Sequence, residues 1–251
     1  MKYYSLDTIE KVFSFATRFV PENHMVFRGV INSEYELIPS VGRLPLLGDS
    51  SEELDRERAL LEQFKMKSAL RVQCQPSNDW EWLSLAQHYG LPTRLLDWSI
   101  NPLIALYFAT AHSPEELYGG KPLSNCAVYG LISHIHIDSS YHIDPLDLTQ
   151  TLEFYGPSIS ERVVNQAGLF TVHHEPRKAF DTDKLHKFVI PGELKPQIQS
   201  KLGLLGINES TIYPGLDGIA KSLKTEFYNH TTRPLDLEKA PEYMQSQLGG
   251  L

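Results

Sequence analysis

A chain of 251 residues with 41% hydrophobic and 22% charged side chains has the composition of a folded globular protein, which excludes extended disorder and fibrous repeats. Its net charge of −8, from 23 Lys plus Arg against 31 Asp plus Glu, argues against holding nucleic acid chiefly by neutralising phosphates. No run approaches the roughly 18 apolar residues of a membrane helix, and Met1 to Asp7 lacks the apolar stretch of a secretory signal, so a cytoplasmic location with no membrane partner is expected.

Asp7 and Glu10 frame a first helix in which Ile9, Val12, Phe13, Ala16 and Phe19 recur at helical spacing until Pro21 stops it. Met25 to Ile31 has the β-branched and aromatic composition of a short strand, interrupted by Arg28 and Gly29. Ser50 with Glu53 predicts a second helix to about Leu70, with Leu54, Leu61 and Phe64 as its apolar stripe. Asn78 with Glu81 opens a third, closed by Gly90 and Pro92, which leaves His88 and Tyr89 in its last turn.

Thr93 to Ser99 reads as a strand, with Thr93, Leu95, Asp97 and Ser99 on one face and Arg94, Leu96 and Trp98 on the other. Asn101 followed by Pro102 starts a fourth helix, apolar nearly all round from Leu103 to Ala109, which marks a central buried element. Strand-like runs then lie at Cys126 to Ile132, Gly168 to Val172 and His186 to Ile190. Helical ones lie at Glu193 to Leu204 and Leu216 to about Phe227. This order predicts an α+β fold, N-terminal helices packed on a mixed, mainly antiparallel C-terminal sheet. Residues 1–228 read as a single domain and 229–251 as a polar tail.

Arg28 is the first chemical anomaly. An arginine inside an apolar strand needs a partner: a bound anion, which its fork would grip bidentately, or a carboxylate such as Asp97. Gly29 beside it admits a close approach by a ligand or another backbone. The run Gln87-His-Tyr-Gly-Leu-Pro-Thr-Arg-Leu-Leu-Asp-Trp98 is too polar for plain core. Arg94 is available for a phosphate or for pinning a loop, and Asp97 for a ribose hydroxyl or for orienting another side chain. An internal network bracing a long loop is the competing reading.

Metal and nucleophile chemistries score lower. His134 and His136 share a strand face, with Asp138, His142 and Asp144 following, but ordinary surface histidines are the favoured reading and no metal is expected. His173, His174 and Glu175 lack a helical zinc-binding spacing, and neither a phosphate-loop G-x-x-x-x-G-K nor a G-x-S-x-G elbow occurs. Cys74 and Cys126 form no C-x-x-C pair and read as buried apolar side chains.

Phe27-Arg28-Gly29, Leu37 to Arg43, the Gln87 to Trp98 run continuing into Asn101 to Ala109, and Arg162 to Thr171 together resemble the FRG-domain family, from about residue 20 to 225. The order of these motifs is also distantly similar to that of ADP-ribosyltransferases, with an aromatic-Arg-Gly strand, a second strand ending in Ser99 before a helix, and Gln166 at the third motif. It departs from them in having no Glu-x-Glu or Gln-x-Glu, since Gly168 stands two residues after Gln166.

This second resemblance implies a split sheet and NAD+ as substrate, cleaved through an oxocarbenium-like transition state. It implies catalytic roles for Arg28, Asp97, Gln166 and His88. Nucleotide contacts would come from Phe27, Gly29, Arg43, Thr93 and Arg94, and an aromatic sandwich from Tyr89, Trp98 and Phe170. A protein or nucleic-acid acceptor, a toxin or anti-phage role and an antitoxin or defence partner follow from the same resemblance. A non-catalytic nucleotide-sensing module is the alternative it leaves open.

Overall fold

The structure, a computed structural model, describes residues 1–18, 25–72, 75–111, 122–133, 142–155, 168–213, 215–216, 218–220 and 222–223. Phe19, Cys74, His134, His136, Asp138, Gln166, the run 162–167 and most of the helix expected after Leu216 lie outside them. The chain divides into two compact units, Met1–Ile207 and Asn208–Leu251. The sheet and the helices that cover it belong to the first. In the second, Asn208 caps the short helix Glu209–Ile212 by accepting from the Ser210 and Thr211 amides.

Seven strands form one mixed sheet: β1 (Lys2–Ser5), β2 (Met25–Val30), β3 (Leu95–Ser99), β4 (Cys126–Ile132), β5 (Leu152–Tyr155), β6 (Gly168–Val172) and β7 (Leu185–Ile190), in the order β1-β7-β4-β2-β3-β6-β5. Only β1 with β7 is parallel, and every other pair is antiparallel. The expected α+β class is present, and the sheet also draws three strands from the N-terminal half. Strands β1 and β5 escape composition because each is four residues long at a sheet edge. Tertiary contact makes them: the Tyr4 ring stacks on Phe188 at 4.9 Å and Phe154 on Phe170 at 5.3 Å.

Four helices of this unit precede or interleave with the strands: α1 (Ile9–Arg18), α2 (Ser50–Ser68), α3 (Asp79–His88) and α4 (Pro102–Thr110). Two expected caps shift by one residue. Thr8, not Asp7, caps α1 by accepting from the Lys11 amide at 3.3 Å, because the Asp7 carboxylate is taken by Lys11 Nζ at 2.6 Å. Asp49 with Glu52, not Ser50 with Glu53, forms the capping box of α2, and Glu53 is turned instead to Arg177. Asn78 caps α3 as its sequence predicts, and Gly90 takes the left-handed φ of 83° that turns the chain back into β3.

Strand alternation points Phe27 and Gly29 toward the helices and Val26 and Arg28 toward the opposite face. On the helical side Phe27 meets Phe15 of α1 edge-on, and α4 lies directly on Gly29. A core of Trp80, Trp82, Leu83, Leu95, Phe154, Phe170 and Val172 continues beneath α2 and α3. On the other side Val26, Leu37, Leu96, Trp98, Tyr129 and Leu169 pack together. Among the described residues no helix is long and apolar enough to cross a membrane.

One joint in this sheet is different. Neighbouring strands elsewhere share four to six register pairs, whereas β2 and β3 share the single pair Phe27↔Ser99. Beyond that rung the two strands part, and the sheet opens at its middle.

Candidate functional site

The opening between β2 and β3 holds a cavity of about 420 Å³, within the range of small-molecule sites. Strand β2 contributes Phe27, Arg28, Gly29 and Val30, β3 contributes Asp97, Trp98 and Ser99, and α4 closes it with Ile104, Ala105 and Phe108. Gln87 and His88 come from the last turn of α3, Phe170 from β6, and Tyr35 and Arg43 from the segment that follows β2. Motifs far apart in sequence therefore converge because a strand, a helix end and a loop all terminate at the same split.

Arg28 reaches across the split. Its Nη1 donates to the Asp97 carbonyl oxygen at 2.7 Å and lies 3.4 Å from Asp97 Oδ2. Its buried Nε has no hydrogen-bond partner among the described residues. Burial lowers the guanidinium pKa, the Asp97 charge pulls it back up, and Arg43 nearby adds a smaller repulsion. The Arg28 side chain is 22% exposed and Asp97 50% exposed, so the pair is neither sealed from solvent nor saturated. An orphaned buried donor on a cation is a standing cost that an acceptor in the cavity would relieve.

Asp97 is positioned from two further directions. Gln87 Nε2 donates to Asp97 Oδ2 at 3.0 Å, and Thr93 Oγ1 donates to Gln87 Oε1 at 2.6 Å. That second bond fixes which end of the carboxamide faces the carboxylate. Thr93 is itself anchored, its amide donating to Ser40 Oγ at 3.0 Å and its carbonyl accepting from the Val41 amide at 3.1 Å. Thr93, expected at the nucleotide, is 2% exposed and does not line the cavity, so it acts on Asp97 through Gln87.

The expected anion role of Arg94 gives way to the loop-pinning one. Its side chain is buried against Glu57 in a bidentate pair at 2.9 and 3.0 Å, and Nη1 donates to the Leu146 carbonyl at 3.1 Å. Three of its five N–H donors are committed there, and the buried side chain does not line the cavity in the split. Gly29 lines the cavity, but its missing side chain serves α4: a Cβ there would lie 2.0 Å from the Ala105 carbonyl oxygen and 2.4 Å from the Ala109 nitrogen.

Of the expected aromatic sandwich, Trp98 and Phe170 line the cavity. Trp98 is locked by its Nε1 donating to Thr171 Oγ1 at 2.9 Å. Tyr89 is 70% exposed and lies outside the lining, its ring edge-on to His88 at 4.9 Å. Phe27, His88 and Arg43 line the cavity, and Gln166 falls outside the described residues. Of the residues weighed for metal binding, Asp144 is taken by Arg58, and His134, His136 and Asp138 are outside the description.

Gln87, Tyr35, Ile104 and Phe108 join the site without having been singled out by sequence. Gln87 carried a signal: a polar side chain one turn before a helix-ending Gly90, with a returning strand that brings Asp97 back beneath it. The other three are apolar or aromatic residues that no local pattern separates from core.

Residues 23–116, which span β2, α2, α3, β3 and α4, match the family model described as FRG domain. No curated protein and no solved structure matches the chain significantly.

Proposed function

We propose that this chain, whose residues 23–116 match the FRG-domain model, binds NAD+ in the split between β2 and β3 and breaks the bond from ribose to nicotinamide. The observation that supports this reading is Arg28: a guanidinium held on one side by Asp97, with a buried, unpartnered Nε beside an open cavity. A phosphate oxygen is the acceptor such a donor lacks, and Arg43 on the same rim supplies a second positive charge.

In this reading Trp98 and Phe170 offer faces for the nicotinamide ring. Asp97, the one carboxylate among the described lining residues, holds a ribose hydroxyl and offsets positive charge developing at the anomeric carbon. The glycosidic C–N bond breaks with its electron pair leaving on nicotinamide. The ribosyl carbon is then captured by water or an acceptor nucleophile, whose proton passes to solvent or to His88. Transfer to a protein or nucleic acid would make the protein an effector of the toxin or anti-phage kind.

A second reading, nucleotide binding without turnover, is favoured by one observation: the Asp97 carboxylate is already engaged by both Arg28 and Gln87. Purified protein incubated with NAD+ separates the two. Nicotinamide release abolished by Asp97→Asn, with binding retained, supports the enzyme. Saturable binding without release supports the module, and absence of both removes the nucleotide.

A further inference from the structure

Arg43 lines the same cavity as Arg28, close enough for its charge to act on the Arg28 guanidinium, yet its own side chain is exposed and makes no hydrogen bond or ion pair among the described residues. What places it there is its backbone. The short 3-10 turn Val41–Arg43 is tied on one side to the segment that enters β3, through the Val41 amide donating to the Thr93 carbonyl at 3.1 Å. On the other side it is gripped by a residue 134 positions later in the chain.

Arg177 Nη1 donates to the carbonyls of Gly42 at 3.3 Å and Leu44 at 2.8 Å, and Nη2 donates to that of Pro45 at 3.4 Å. These carbonyls bracket Arg43. The fork is braced from behind by Glu53 near the start of α2, whose Oε2 accepts from Nε at 2.6 Å and whose Oε1 pairs with Nη2. Gly42 allows the approach, because a Cβ there would stand 1.8 Å from the Pro176 carbonyl oxygen. A side chain at position 42 would thus push the loop carrying Arg43 away from the segment carrying Arg177.

Five N–H donors in a fixed plane suit this task, and a lysine would supply three donors on a flexible stem instead. Arg177 does not line the cavity, so it cannot touch a ligand there. We propose that Arg177 is a positioning residue for anion binding: by clasping the 42–45 backbone it holds Arg43 at the cavity that Arg28 also lines, and so sets the affinity of the split for a phosphate-bearing ligand. The proposal rests on the nucleotide reading above for the identity of that ligand, but not for the clasp itself.

NAD+ affinity is measured by calorimetry on the full chain, together with backbone amide exchange of the free protein. Arg177→Ala is expected to raise the Kd about tenfold, a loss comparable to that of Arg43→Ala, and to add little in an Arg43→Ala background. Arg177→Lys is expected to fall between. Glu53→Gln lowers the melting temperature but leaves the Kd within about twofold, because the carbonyl contacts persist. In the free protein Arg177→Ala is expected to speed exchange of the hydrogen-bonded amides of Val41 to Leu44 selectively.

An Arg177→Ala protein that melts earlier yet binds NAD+ as the wild type does would overturn the positioning role. Additive losses in the double variant would overturn it too. If the wild type fails to bind NAD+, the nucleotide reading falls and exchange alone decides: local acceleration at 41–44 upholds the clasp, and unchanged rates remove it.

Discussion

Arg28 and Asp97 meet unequally: the guanidinium makes its short bond, 2.7 Å, to the Asp97 backbone carbonyl, and its carboxylate contact is the longer one at 3.4 Å. Asp97 Oδ2 thus takes its shorter bond from Gln87 and only a long contact from Arg28, while the cation stays anchored by an oxygen that no side-chain substitution removes. This geometry differs from that of a sealed salt bridge, in which the two charges would make the short contact.

The first expectation follows from that arrangement. Replacing a partly desolvated cation with an apolar side chain of similar length removes an electrostatic cost and leaves little uncompensated. Arg28→Met is therefore expected to keep or raise the melting temperature and, on the nucleotide binding proposed above, to remove the upward shift expected with added NAD+. Thermal denaturation with and without NAD+ reads both. If the Arg28→Met protein still shifts with NAD+, the guanidinium is not the anchor.

Gly29→Ala tests the contact between β2 and α4. The added carbon would overlap backbone atoms at Ala105 and Ala109, which cannot rotate away as a side chain can. Overpacking of this kind costs about 3 kcal/mol, and the melting temperature is expected to fall by several degrees. A neutral outcome in urea denaturation would mean that α4 sits farther from the strand.

Arg94→Ala separates bracing from binding. It strands the Glu57 carboxylate, 11% exposed, without its cation, and breaking one side of a buried pair costs about 3–5 kcal/mol. Chemical denaturation should show that loss, and Arg94→Met with Glu57→Leu should recover much of it. Ligand affinity of whatever fraction remains folded should be unchanged. A specific loss of affinity would return Arg94 to the binding machinery.

His173 sets an acid limit on stability. It is 2% exposed, and burial first, then the charges of Arg28, His174 and Arg94, depress its pKa from 6.5 to about 3. Thr171 Oγ1, which accepts from Trp98, lies 2.9 Å from its Nε2. The unfolded chain takes up a proton below pH 6.5 that the folded one refuses until about pH 3, so stability declines as pH falls through that interval. His173→Gln is expected to flatten the decline between about pH 6.5 and 4 in urea titrations. An equal slope in both proteins would assign the acid sensitivity elsewhere.

Much of the fold was legible because it rests on local signals. Asn78 before α3, Pro102 at the start of α4 and the apolar circumference of α4 each encode their element within a few residues. The site was legible where polarity interrupted an apolar run, as at Arg28 and Asp97. What sequence could not supply was partnership. Arg94, just before β3, and Arg28, within β2, both interrupt apolar runs, and only the position of Glu57, 37 residues before Arg94, makes one a brace and leaves the other a donor short of an acceptor. Edge strands β1 and β5 were missed for the same reason, their conformation being imposed by neighbours distant in sequence.

The solitary Phe27↔Ser99 rung has a mechanical consequence. It divides the sheet into two panels, β1-β7-β4-β2 and β3-β6-β5, each internally laced by several pairs but jointed to the other at one point. Helix α4, which leaves one panel and rests its backbone on the other at Gly29, spans the joint like a strap. Any rotation about that rung would leave the ladders within each panel whole and would load instead the Arg28–Asp97 hydrogen bond and the seat of α4 on Gly29, contacts that cross the joint beside it.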